Sequence, residues 1–155
     1  MTRSSLALRD VLLAAVGAGV VSGVSVAAYA ALVQLLAGEP LSSTYTYLAS
    51  ELGGPSLGQG PGAVPIGVLV LFGAAIPWAF GYLHAARRQP QLLTHPMISG
   101  IFFGLVVWLV MQLVLVVTGR FTPWSVYSVY RDLIGCMFCF GPPLAYTAAR
   151  LSRVR

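Results

Sequence analysis

Cys136 and Cys139 are the chain's two thiols, and their Cys-Met-Phe-Cys spacing is that of a redox or metal pair. Such pairs usually open a helix, where the dipole depresses the thiol pKa and yields a nucleophilic thiolate. Here the motif lies inside a long apolar run, and an electron relay would need a second pair that the chain lacks. Two thiols are also too few for a disulfide framework. A buried cysteine is ordinarily a small hydrophobe, and that reading outweighs thiol-redox chemistry. Asp132 stands at the start of the same run, with Arg131 beside it as an ion-pair partner. Gln112 is an amide within another apolar run, and it needs a hydrogen-bond partner wherever water is absent. His84 and His95 flank Arg87 and Arg88 with no third ligand close in sequence, so they describe no metal site. No Ser/His/Asp set or carboxylate pair is recognisable. The expectation is therefore no catalytic residue, cofactor or metal. The candidates for binding are Gln112, Asp132, Cys136 and Cys139.

The elements that must carry these residues are long and apolar. The 155 residues are 57% hydrophobic and only 8% charged, against about a quarter charged in a soluble domain. Segments 11–37, 64–83, 97–117 and 133–149 read as membrane-crossing helices, for which ~20 apolar residues suffice. The first is longer than the about 7–15 apolar residues of a cleaved signal, and Asp10 precedes it as a candidate N-cap; it reads as a retained span. The net charge of +5 comes from arginines at the ends of the apolar runs, with no lysine. That placement argues for membrane topology and against nucleic acid. Arg3, Arg9, Arg87, Arg88, Arg150, Arg153 and Arg155 fall on one side of four spans. Arg120 and Arg131, with Glu39, Glu51 and Asp132, fall on the other. By the positive-inside rule both termini are cytoplasmic. The expected fold is all-α: one domain, a four-transmembrane-helix bundle. No charged residue falls at mid-membrane, which argues against an ion-coupled carrier.

Small residues recur every four positions along these spans: Ala15, Gly19, Gly23, Ala27 and Ala31 in the first, Gly73, Pro77 and Gly81 in the second. Gly100, Gly104, Trp108 and Gln112 continue the spacing in the third. Such stripes let helices approach closely, so Gly19, Gly23, Gly73, Gly100 and Gly104 are the expected packing residues. Pro77 is expected to kink the second span, and Trp78 and Tyr82 to sit at the interface. Gly141, Pro142 and Pro143 are expected to interrupt the fourth. Between the first two spans, Tyr45, Leu48 and Leu52 mark a short interfacial helix with a Ser/Thr cap. The Gly- and Pro-rich stretch after it should stay irregular. Thr122 and Pro123 read as the opening of a helix that carries Trp124, Tyr127 and Tyr130 into the fourth span.

In the third span His95-Pro96, Gly100, Phe103-Gly104, Trp108, Met111-Gln112 and Val114 resemble the third span of the YagU-like family of small bacterial four-span proteins. That family's pattern runs Arg-Pro, Gly, Tyr-Gly, Tyr, Met-Asn, Val-Val. Cys136-Met-Phe-Cys139-Phe-Gly141-Pro142-Pro143-Leu-Ala145 is similar to its His-led segment ending Gly-x-Pro-x-Ala. Cys136 stands where the family has histidine, Gln112 follows Met111 where it has asparagine, and the second span lacks the family's histidine. The resemblance implies a four-span fold and a bacterial inner membrane, and it lends no activity. The leading expectation is a non-enzymatic multi-pass protein that acts as an accessory or assembling subunit. Its partners are the lipid bilayer and a second copy or another membrane protein. The alternatives are an oligomeric small-molecule or lipid-handling permease, motivated by Gln112, Asp132 and the Gly-Pro-Pro segment, and a thiol-redox enzyme using Cys136 and Cys139.

Overall fold

The computed structural model describes residues 8–119 and 126–153. These are helical apart from short connections, with no strand among the described residues. In order they form α1 (Leu8–Ala37), α2 (Ser43–Gly53), α3 (Ala63–Arg88), α4 (Gln91–Thr94), α5 (Pro96–Val117), α6 (Val126–Ile134), a π-helical segment (Gly135–Phe140) and α7 (Gly141–Arg153). Three helices are long and apolar enough to cross a membrane: Val11–Ala37 within α1, then α3 and α5. Asp10 lies within α1 rather than capping it, because the described helix already runs from Leu8. Thr122, Pro123 and Trp124 lie outside the described residues.

The helices pack as a chain of neighbours. α2 lies on α3, α3 on α1, α1 on α7, and α7 on α5. The core that joins them is small-sided: Ala15, Ala18, Ala75, Ala79, Leu144, Ala145 and Ala148 are almost fully buried, with Tyr82 the largest side chain among them. Small side chains suit a medium in which lipid is as apolar as leucine and association rests on close backbone approach. Outward-facing leucines and valines such as Leu35, Leu69 and Leu113 complete the pattern of a membrane-exposed perimeter.

The glycines show where that approach is closest. A Cβ on Gly19 would lie 2.9 Å from the Ile76 Cα, and one on Gly23 would enter the Phe72 ring. A Cβ on Gly100 would lie 2.7 Å from Pro142 Cα, and one on Gly104 would land on the Cys136 carbonyl. Gly67, on the other hand, receives the backbone of α2 at Tyr45. Gly73 corrects the expectation of a packing role within the bundle, since a Cβ there would meet nothing within 4 Å, and the same holds for Gly81. The physical reason is rotation. α3 turns Ala75 and Ala79 toward the core, which leaves Gly73, Pro77 and Gly81 on the opposite, exposed side.

α3 is one helix that contains Pro77. Two further expectations change. Gly141, Pro142 and Pro143 do not end the last helix: the Gly141 N–H bonds the Cys136 carbonyl five residues back. The two prolines follow as the second and third residues of α7. The π segment thus absorbs what reads as a break. Ser42, at the start of α2, makes no capping bond with its side chain. Tyr82 is 1% exposed, and its hydroxyl reaches the connection at the end of α3.

Candidate functional site

Two places combine polar groups with tight geometry. The first is where α5 meets the π segment. Gly100 and Gly104 bring α5 so close that the backbone of Cys136, Met137, Gly141 and Pro142 forms the opposing wall. Cys136 and Cys139 are free thiols and partly buried. Cys136 therefore serves this contact through its main chain, with its carbonyl both abutting Gly104 and accepting the Gly141 N–H. Asp132 pairs with its neighbour, Arg131 Nε to Asp132 Oδ1 at 2.9 Å, with both side chains partly exposed. The Arg131 carbonyl in turn accepts the Tyr29 hydroxyl at 2.9 Å, which joins α1 to α6. Further along α5, Gln112 buries its Oε1 without a hydrogen-bond partner among the described residues.

The second place is the side of the bundle between α3 and α5. Their backbones pack less closely than the other neighbouring pairs, and aromatic rings bridge them instead. Phe103 stands edge-on to Trp78 at 6.2 Å and to Tyr82 at 5.1 Å between ring centres. α4 closes one end. The Tyr82 hydroxyl donates to the Leu92 carbonyl at 3.0 Å and lies 2.8 Å from Ser99 Oγ, which reaches the same carbonyl at 2.7 Å. This three-way junction fixes α4 to both long helices. Above it lies an open groove of about 460 Å³, bordered by Gln89, Gln91, His95, Phe102, Phe103 and Val106 among others.

Asp132, Cys136 and Cys139 stand within two turns of one helical run, with Gln112 on α5. Gln112, Asp132, Cys136 and Cys139 border none of this groove. Residues with no candidate role in the sequence hold the structure together instead: Tyr82 and Ser99 at the junction, Tyr29 at α6, and Gln34, whose Nε2 donates to Thr44 Oγ1 at 2.7 Å and ties α1 to α2. The one available signal was that each is a hydrogen-bonding side chain in or beside an apolar run, where such a group needs a partner. Compared with protein-family models, with curated proteins and with solved structures, the chain matches none.

Proposed function

We propose that the chain is a non-enzymatic, four-span subunit of a bacterial inner membrane, YagU-like in plan, that assembles with a second copy of itself through the outward face of α3. The observation that carries this reading is the line Gly73, Pro77, Gly81. Its residues are four apart and exposed, and its two glycines have nothing within 4 Å of an added Cβ. Pro77 has no N–H to offer the Gly73 carbonyl one turn earlier. In hydrocarbon an acceptor left that way favours a neighbouring helix over lipid. A small-residue groove near the middle of segment 64–83 admits a helix at close range, and the same face on two copies gives a two-fold interface.

The proposed fourth span, 133–149, falls within the helical run from Val126 to Arg153, and the burial of Leu144, Ala145 and Ala148 against the long helices supports it. Arginines at the end of α3 and at Arg150 support cytoplasmic termini by the positive-inside rule. The permease and thiol-redox readings have less support. Asp132 is engaged with Arg131, and Cys136 works through its backbone in a helix contact.

Extraction in mild detergent followed by sizing tests the assembly. The wild-type chain is expected to run as a dimer or larger, and Gly73→Leu with Gly81→Leu to run as a folded monomer. A monodisperse wild-type monomer with no co-purifying partner would sink the reading.

A further inference from the structure

The groove between α3 and α5 differs in character along its length. Gln89, Gln91 and His95 border one end, and all three are exposed in the connection between the helices. Phe102, Phe103 and Val106 border the other end, two to three turns along α5. α5 is long and apolar enough to cross a membrane and starts directly after His95. The first end therefore belongs at headgroup level and the second in hydrocarbon. At the closed end, Tyr82, Ser99 and the Leu92 carbonyl already bond one another. Free hydrogen-bonding capacity is thus concentrated in the amides and imidazole of the rim. The local charge has one sign: Arg88 is exposed beside Gln89 at the end of α3. None of the chain's acidic residues lies between Glu51 and Asp132. An occupant should therefore be amphiphilic and anionic, and the volume of about 460 Å³ falls in the ~300–1,000 Å³ range of small-molecule sites.

We propose that this groove binds an anionic phospholipid, with its phosphate among Gln89, Gln91 and His95 near Arg88 and one acyl chain along Phe102, Phe103 and Val106. The lining carries no arginine, so the preference for negative charge comes from Arg88, next to Gln89 in the chain. The site requires only that α3 and α5 cross the bilayer, so it stands apart from the fourth span and from assembly through Gly73.

The test is native mass spectrometry of the full-length protein in mild detergent, titrated with phosphatidylglycerol or with phosphatidylcholine of the same chains. Phosphatidylglycerol is expected to bind at about fivefold lower concentration, the effect of one well-placed basic residue near a lipid surface. Gln91→Glu puts a carboxylate on the exposed rim and is expected to abolish that preference. Val106→Trp fills the apolar end and is expected to weaken both lipids by excluding the acyl chain. Leu113→Trp, exposed on α5 outside the groove, should leave both unchanged. Equal binding of the two lipids overturns the proposal, as does a preference that survives Gln91→Glu or undiminished binding to Val106→Trp. Should Val106→Trp lose its helical circular dichroism, Gln91→Glu alone decides. Excess glycerol phosphate is expected not to displace the lipid; displacement would reassign the site to free phosphate and overturn it.

Discussion

The effect of a glycine in these helices depends on what a Cβ would meet, and two glycines on neighbouring spans give opposite expectations. At Gly104 an added Cβ lands on the Cys136 carbonyl, a main-chain atom held in the π segment. Gly104→Ala is expected to destabilise the fold by about 1–3 kcal/mol, as overpacking does. At Gly73 the space is open, and Gly73→Ala is expected to stabilise the helix by about 0.5–1 kcal/mol through backbone entropy. Unfolding in mixed micelles, at concentrations where copies are apart, compares the two signs. Gln112 gives a second contrast. Its Oε1 is buried without a partner among the described residues, so Gln112→Leu is expected to be neutral or to stabilise by up to about 1 kcal/mol. A loss larger than that would reveal a partner for the amide. Tyr82→Phe removes the hydroxyl shared with Leu92 and Ser99 and is expected to cost about 1 kcal/mol. Hydrogen exchange should rise over 89–95, where α4 is fixed.

The helices themselves were legible from run length and polarity, because a membrane-crossing helix needs about 20 apolar residues and little else. α2 was legible from Tyr45 and Leu48 at helical spacing, and it is found over Ser43–Gly53. The faces were less so. Four-residue spacing shows that Gly73, Pro77 and Gly81 share a side, yet Ala75 and Ala79 form an equally small line on the same helix. Only the position of α1 decides which line is inside. The π segment was illegible for a related reason. Two prolines read as a break, whereas one longer hydrogen-bond step from Gly141 to Cys136 carries the helical run on into α7. The docking of α2 depends on Gly67 meeting the Tyr45 backbone. Gly67→Leu is expected to detach α2 and raise its hydrogen exchange about tenfold or more, while the α5–α7 contact stays protected. Unchanged exchange in α2 would contradict that role.

Taken as a molecule, the chain is a bundle whose interior is closed by alanine, glycine and backbone and whose perimeter is apolar. Interest moves to its outer surface: the groove between α3 and α5 and the bare face of α3. Neither could be read from spacing, because both depend on which helices are neighbours. The central claim is that the face of α3 meets its own copy. In-membrane disulfide crosslinking tests it most directly, in a background where Cys136→Ala and Cys139→Ala remove the native thiols. Gly73→Cys is expected to crosslink rapidly into a dimer, while Leu113→Cys, 60% exposed on the perimeter of α5, is expected to stay monomeric. Failure of Gly73→Cys to crosslink, or equal crosslinking at both positions, would contradict the account.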